Sequence, residues 1–106
     1  TYKVLGQSAP LATTETDLYV VPIGAQAVIS TLTCSNRGSS TTIFRISVSV
    51  GGAATTNKDY LYYDISIRGN DCFATTIGVT LNAGDVIRVY AGNANLSFSA
   101  FGSEYL

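Results

Sequence analysis

The stretch Phe44-Arg45-Ile46-Ser47-Val48-Ser49-Val50 has an apolar residue at every second position, with Arg or Ser between them. Successive side chains of an extended strand point to opposite faces, so this pattern predicts a strand with one buried and one solvated face. The same alternation recurs later in the chain, at residues 60–68, 73–81, 86–91 and 96–101. These runs are rich in β-branched residues and tyrosine, which favour strands over helices.

Turn-forming residues separate the alternating runs at the spacing of about 8–12 residues that is typical of β-sandwiches. Strands are expected near 2–6, 17–22, 26–36, 42–50, 58–68, 72–81, 85–91 and 95–105. No window has the apolar spacing of an amphipathic helix. The sequence therefore predicts a single all-β domain over residues 1–106, an antiparallel, jelly-roll-like β-sandwich of about eight strands and almost no helix. Within it, segment 26–36 is expected to be a central strand covered on both sides.

The inward positions of these strands define the expected core, and its residues are Leu32, Phe44, Ile46, Val48, Leu61, Tyr63, Ile65, Ile67, Ile77, Val79, Leu81, Ile87, Val89, Leu96 and Phe98. On strand 58–68 strict alternation assigns Tyr63 to this core. The same alternation assigns Tyr60 and Tyr62 to the exposed face, together with Asp64 and Arg68.

Composition and charge exclude several classes of protein. Hydrophobic residues make up 46% of the chain and charged residues 12%, and 6 Lys and Arg stand against 7 Asp and Glu. A net charge of -1 offers no electrostatic footprint for phosphate backbones, so we expect no nucleic-acid partner. No run approaches the ~20 apolar residues of a membrane span, and residues 1–6 lack a leader pattern, so we expect no membrane association or export. A nearly neutral surface favours association, so we expect a protein partner.

The residues that usually carry enzyme chemistry are missing. The chain has no His, which removes the commonest general base and zinc ligand. Asp71 and Asp85 are expected to accept hydrogen bonds in turns, and Asp64 to lie on a solvated face. We therefore predict a non-enzymatic protein with no catalytic residues, no metal site and no cofactor. Cys34 and Cys72 are expected to be buried, reduced thiols, since nothing indicates an exported chain.

Four residues are candidates for a contact surface: Tyr60, Tyr62 and Arg68 on one strand face, and Arg37 in a neighbouring loop. Tyrosine and arginine are enriched at interface hot spots. The same tyrosines could instead stack against a sugar ring. Carbohydrate-binding modules usually present Trp for this purpose, and this chain has none.

Several segments of the chain resemble a known group of proteins. They are TYKVLGQ at 1–7, DLYVVP at 17–22, LNAGDVIRVYA at 81–91, LSF at 96–98 and FGSE at 101–104. Together they resemble small all-β structural proteins of tailed bacteriophages, especially phages of cyanobacteria and marine bacteria, over nearly the whole chain. The resemblance rests on strand and turn segments and carries no catalytic residue.

This resemblance implies a β-sandwich that serves as a capsid decoration (cement) protein, or as a small tail, fibre or baseplate module. Its partners would be the major capsid protein or other virion proteins, and its location the virion, after synthesis in the host cytoplasm. It also implies a homotrimer, because cement proteins often cap local three-fold axes of a capsid lattice. A carbohydrate-binding β-sandwich that presents Tyr60 and Tyr62 to a glycan stays open as an alternative function.

Overall fold

The computed structural model describes residues 2–105, and their side chains from residue 3 onward. Its strands are β1 (Tyr2–Ser8), β2 (Thr16–Val20), β3 (Gln26–Asn36), β4 (Thr42–Ser49), β5 (Tyr60–Ile67), β6 (Cys72–Leu81), β7 (Val86–Ala91) and β8 (Leu96–Tyr105). The only helical segments among residues 2–105 are two 3₁₀ turns, Val50–Gly52 and Asn57–Asp59. The eight predicted strands and the near-absence of helix are confirmed, with strand ends shifted by no more than about two residues.

The strands form two antiparallel four-stranded sheets that pack face to face. The first sheet has the order β1-β8-β3-β6 and the second has the order β2-β7-β4-β5. Each strand of the first half of the chain thus pairs with one of the second half: β1 with β8, β2 with β7, β3 with β6 and β4 with β5. A long antiparallel ribbon folded over in this way gives the jelly roll that the sequence predicts.

The core lies between the sheets and is centred on aromatic rings. The Phe44 ring lies 5.1 Å from that of Phe73 and 6.1 Å from that of Phe98, in tilted and edge-on arrangements. Most of the expected core residues are buried, namely Leu32, Phe44, Ile46, Ile67, Leu81, Ile87, Val89, Leu96 and Phe98. Others are half-buried and pack against this core, namely Val48, Ile65, Ile77 and Val79.

Strand β5 breaks the alternation, and the prediction for its first half is wrong. Phe44 pairs with Ile65 and Ile46 pairs with Tyr62, so β5 contains an extra residue relative to β4 at this point. Asp64 lies in this bulge with a φ of +52°, a left-handed conformation that Asp tolerates better than most residues. As a result Tyr62 packs against the core, whereas Tyr63 is 53% exposed. A second register shift follows, because Ser47 pairs with Tyr60, and it leaves Leu61 as an extra residue that is 39% exposed.

Strand β3 is central, as predicted, since it lies between β8 and β6. Its inner residues, such as Ile29 and Leu32, are buried, whereas Thr31 and Thr33 on its outer face are only half-buried and Ser35 is exposed. The expectation that β3 is covered on both sides is therefore wrong, because no layer of the described chain packs on the outer face of the first sheet.

The turn carboxylates behave as expected in two places. The two carboxylate oxygens of Asp85 accept hydrogen bonds from the backbone N–H groups of Gly51 and Asn82, both at 2.9 Å. One oxygen of Asp71 accepts a hydrogen bond from the Cys72 N–H at 2.8 Å. Asp85 thereby ties together the turns that follow β4 and β6.

Both cysteines are free, as predicted, but only Cys34 is buried. Cys34 pairs with Phe73, and its neighbour Ser35 pairs with Cys72, so the two thiols occupy adjacent register positions that point to opposite faces of the sheet. Burial raises the pKa of the Cys34 thiol to about 12. The expectation that Cys72 is also buried is wrong, because β6 turns that residue outward.

Candidate interaction surfaces

Tyr60 and Tyr62 lie on opposite faces of the second sheet. The Tyr62 ring points between the sheets, 5.2 Å from the Phe73 ring, and its hydroxyl donates a hydrogen bond to Thr75 Oγ1 at 3.3 Å. Tyr60 lies on the outer face, with its ring 4.8 Å from that of Tyr63. The expectation that Tyr60 and Tyr62 share an exposed face is therefore wrong, because a second register shift, between the Ile46–Tyr62 and Ser47–Tyr60 pairs, places Leu61 between the two tyrosines as an extra residue.

Arg37 and Arg68 lie together at one end of the sandwich. The Arg37 Nη2 donates a hydrogen bond to the Ala94 carbonyl at 2.9 Å, and the Arg68 side chain is 85% exposed, with its Nε 3.9 Å from Asp71. Their two loops are joined by backbone hydrogen bonds. Tyr60 begins β5 and Arg68 follows its end, and a strand of that length separates them by about 25 Å. The four predicted interface residues therefore do not form one patch.

The outer face of the second sheet carries a tyrosine–arginine cluster, formed by Arg45, Tyr60, Tyr63, Asp64 and Tyr90. The Arg45 guanidinium lies between two rings, 4.3 Å from the Tyr63 centroid and 4.4 Å from that of Tyr90. Its Nε donates to Asp64 Oδ1 at 2.6 Å, and this hydrogen bond raises the pKa of Arg45 further above its usual value. Asp64 is thus ion-paired, where the sequence predicts a carboxylate that is only solvated.

A shallow cavity of about 480 Å³ adjoins this cluster and is lined by Asn57, Tyr60 and Tyr63. It offers an aromatic surface and an amide within one small concavity. Ring stacking and amide hydrogen bonds are the contacts by which proteins hold a sugar. The sequence could not reveal the cavity, because the facing of Tyr63 depends on the bulge and Asn57 belongs to a loop.

The remainder of that outer face is partly covered by the chain itself. Arg88 Nε pairs with Asp17 Oδ1 at 2.9 Å, and its guanidinium donates to the carbonyls of Ala53, at 2.7 Å, and Gly52, at 3.2 Å. These bonds hold the loop after β4 over the sheet, and Ser47 and Ser49 beneath it are almost completely buried. Arg88 is therefore a structural residue, and its charge is paired with that of Asp17 within the chain.

The outer face of the first sheet differs from that of the second, since none of the side chains described there, within residues 3–105, is charged. Its exposed and half-exposed residues include Val4 and Gln7 on β1, Val28, Thr31, Thr33 and Ser35 on β3, Cys72, Ala74, Thr76 and Thr80 on β6, and Ser97, Ser99 and Phe101 on β8. Paired residues of neighbouring strands point to the same side, which places these residues together. We call this surface the charge-free face.

Lys3 and Glu104 are the charged residues of the first sheet, and both belong to its opposite side. Their register positions pair with Gly102 and Ala27, which face the second sheet. The Lys3 Nζ lies 2.7 Å from Glu104 Oε1, and the Tyr19 hydroxyl of β2 donates a hydrogen bond to the same carboxylate. These contacts hold the pKa of Glu104 below its usual value, with the Lys3 hydrogen bond the largest cause. Burial, with the Glu104 hydrogen bond second, raises the pKa of Tyr19.

The described part of the chain offers no residues for a metal site or a membrane-spanning helix. Within residues 2–105, no three His, Cys, Asp or Glu side chains are grouped so that they could hold a metal ion. No helix in that part of the chain has the length and apolar character needed to cross a membrane.

Comparison with known proteins gives a distant structural likeness. No protein-family model and no curated protein matches the chain. Its fold is similar to the crystal structure of a pentameric capsid protein isolated from metagenomic phage sequences, at 18% sequence identity and a TM-score of 0.43. The match covers 93% of this chain but 59% of that one, so the chain spans less than two thirds of the protein it resembles. A likeness this distant carries no inference about function.

Proposed function

We propose that the chain is a non-enzymatic structural protein of a phage virion, a capsid decoration protein that attaches through its charge-free face. The charge-free face is the observation that carries this proposal. The cores of protein interfaces are depleted of charged residues, because a charge buried without a partner is costly. A partner can cover a sheet face that bears Ser, Thr, Ala, Val and Phe without burying a charge, provided that it supplies hydrogen bonds to the hydroxyls.

The size of this face favours attachment in several copies. Four strands that are about 4.8 Å apart and about 30 Å long form a face with an area of roughly 600 Å². Each partner of a stable complex usually buries a larger surface, about 800 Å². One copy would therefore bind weakly. An oligomer bound to a repeating lattice multiplies such a contact without any new residue, since the later binding events become intramolecular.

The sequence resemblance supplies the remaining particulars of the proposal. Capsid decoration proteins that cap three-fold axes are trimers, so the chain assembles as a homotrimer of about 33 kDa, three times its 11.1 kDa. Its partner is the major capsid protein or another virion protein. It is located in the virion, after synthesis in the host cytoplasm.

A matched pair of lysine substitutions tests the use of the charge-free face. Thr33 lies at the centre of this face, opposite Ser99 of β8, whereas Thr41 is exposed in the loop before β4. The variants Thr33→Lys and Thr41→Lys are incubated with phage particles that lack the chain, and bound copies are counted after gradient centrifugation. Thr33→Lys should lower the bound copies at least tenfold, and Thr41→Lys should leave them unchanged. Equal binding of the two variants would refute attachment through this face.

The cavity beside Tyr60 and Tyr63, on the outer face of the second sheet, favours carbohydrate binding as a second candidate function. A glycan array probed with the wild-type chain and with Tyr63→Ala tests it. Carbohydrate binding requires a glycan that the wild type retains and the variant loses. An array without signal removes this function. The other alternative is a tail, fibre or baseplate protein. A cryo-EM map that shows where the chain lies on the particle decides between this location and the head.

A further inference from the structure

Two irregularities of β5 turn three of its polar side chains toward the same outer face. In a regular strand Tyr60 and Tyr63 would point to opposite faces, because they are three residues apart. The extra residue Leu61 brings both tyrosines to the outer face, and the bulge at Asp64 places its carboxylate there as well. Bulges re-aim side chains in this way and are over-represented next to functional sites. The irregular course of β5 therefore directs attention to the cavity that Tyr60 and Tyr63 line.

Arg45 holds the Tyr63 ring in place on this face. Its guanidinium lies 4.3 Å from the Tyr63 centroid and 4.4 Å from that of Tyr90, the residue that pairs with Arg45 across the sheet. The ion pair with Asp64, at 2.6 Å, fixes the guanidinium in turn. Tyr63 thus stacks on a cation that is itself held by two neighbouring strands. The ring has little freedom left to lose when a ligand covers it, which lowers the entropic cost of binding.

The charges beside the cavity are paired with one another. Lys58 Nζ lies 3.0 Å from Asp59 Oδ1, and Arg45 Nε lies 2.6 Å from Asp64 Oδ1. Each of these four side chains is a neighbour, in sequence or by contact, of a residue that lines the cavity. An acidic sugar would compete with the two carboxylates for their cations, whereas an uncharged ligand leaves both ion pairs intact. The electrostatics of the cavity therefore favour an uncharged ligand.

We propose that this cavity takes an uncharged sugar residue of a glycan, with Arg45 as the positioning residue of Tyr63, an inference that rests on carbohydrate binding as the second candidate function. The Tyr60 and Tyr63 rings lie at 76° to each other with their centroids 4.8 Å apart, so they form a corner. The apolar C–H face of a sugar packs against such rings. The Asn57 amide both donates and accepts hydrogen bonds, which suits neighbouring sugar hydroxyls. The cavity volume of about 480 Å³ lies within the range of about 300–1,000 Å³ that is usual for ligand sites.

Attachment to a capsid through the charge-free face leaves this site open. That face belongs to the first sheet, and the cavity lies on the outer side of the second sheet. The two outer faces of a sandwich point in opposite directions. A copy bound through the first sheet therefore presents Tyr60 and Tyr63 away from the particle, and the two roles do not compete for one surface.

A glycan array that carries neutral and acidic glycans tests the class of ligand. The wild-type chain should bind at least one glycan built of uncharged hexoses or N-acetylhexosamines. Relatives of that glycan that carry sialic acid or a uronic acid should bind at least tenfold more weakly. Stronger binding of the acidic glycans overturns this inference and leaves carbohydrate binding intact, whereas an array without signal overturns both. The virion role is tested separately, by the copies bound to phage particles.

Three variants, titrated by calorimetry with the neutral glycan that binds best on the array, test the residues. Tyr63→Ala should lower the affinity at least tenfold. Tyr105→Ala removes a tyrosine of similar exposure, 51% against 53%, from the end of β8 and should leave the affinity unchanged. Arg45→Lys keeps the charge but lacks the planar guanidinium that stacks on the rings, so it should lower the affinity at least threefold.

Far-UV circular dichroism first confirms that each variant is folded, so that a loss of affinity reports on the site. Equal affinities of Tyr63→Ala and Tyr105→Ala would overturn the site. Unchanged affinity of a folded Arg45→Lys would overturn the positioning role of Arg45.

Discussion

The neighbouring residues Tyr62 and Tyr63 give the sharpest test of the bulge in β5. Strict alternation places Tyr63 in the core and Tyr62 outside, and the bulge around Asp64 reverses both assignments. Replacing each tyrosine in turn by alanine removes the same number of atoms from adjacent positions. The two variants should therefore lose stability to different extents, and the order of the losses identifies the inward residue.

The expected losses follow from the contacts of each ring. Tyr62 packs against the core, lies 5.2 Å from the Phe73 ring and donates a hydrogen bond to Thr75. A fully buried aromatic costs about 3–5 kcal/mol when truncated, so half-burial together with the edge-on ring contact amounts to about 2–3 kcal/mol. Tyr63 is 53% exposed, and its ring contacts the Arg45 guanidinium at 4.3 Å and the Tyr60 ring at 4.8 Å. At an exposed position these two contacts together contribute about 1 kcal/mol.

Thermal unfolding followed by far-UV circular dichroism measures both losses. In a domain of this size 1 kcal/mol shifts the Tm by about 4–8 °C, so Tyr62→Ala should melt at least about 8 °C below the wild type and Tyr63→Ala within about 8 °C of it. Tyr62→Phe, which keeps the ring and removes only the hydroxyl, should lose about 1 kcal/mol. A larger loss for Tyr63→Ala than for Tyr62→Ala would refute the bulged register.

Three further expectations concern the core, the thiols and the response to acid. Phe98→Ala should cost about 3–5 kcal/mol in urea unfolding, because the Phe98 ring is fully buried beside the Phe44 ring; a loss below about 1 kcal/mol would show that this ring is not in the core. A thiol reagent should label Cys72 in the folded protein while Cys34 reacts only after unfolding, as mass spectrometry of the labelled peptides would show; a disulfide or equal labelling would contradict this. The pKa of Glu104 is lower in the folded state than its ordinary 4.5, so its contribution to stability is complete above that pH and is lost as the pH falls through the folded pKa. The Tm of Glu104→Gln should therefore fall less than that of the wild type on acidification below pH 4.5, and parallel curves would contradict the ion pair.

The strands and their approximate ends could be predicted from the sequence, because the alternation of apolar residues and the turn residues act locally. The run from Phe44 to Ser49 and the run from Val86 to Ala91 each form a strand with the expected inner face, whereas Val50 lies in the 3₁₀ turn after β4 and is exposed. The eight predicted strands also indicated a jelly roll, and the observed strand order is that of a jelly roll. The bulge at Asp64 escaped prediction, because it depends on how β5 pairs with β4 and leaves no mark in the alternation itself.

The candidate surfaces were less accessible from the sequence. Arg45 and Tyr90 come together because β4 pairs with β7, and the charge-free face emerges only when β1, β8, β3 and β6 are placed side by side. Both depend on pairings between distant segments, which a single sequence does not specify. Tyr60 was rightly placed outside, whereas Arg37 and Arg68 are separated from it by the length of a strand. Whether these three residues serve an interface stays a prediction.

A cryo-EM map of the phage particle that carries this chain tests the proposed function most directly. The proposal predicts density for an eight-stranded sandwich on the outside of the head lattice, with Thr33 and Ser99 of the charge-free face against the capsid. A map in which the chain is absent from the particle, or in which its charge-free face points to solvent, would contradict it.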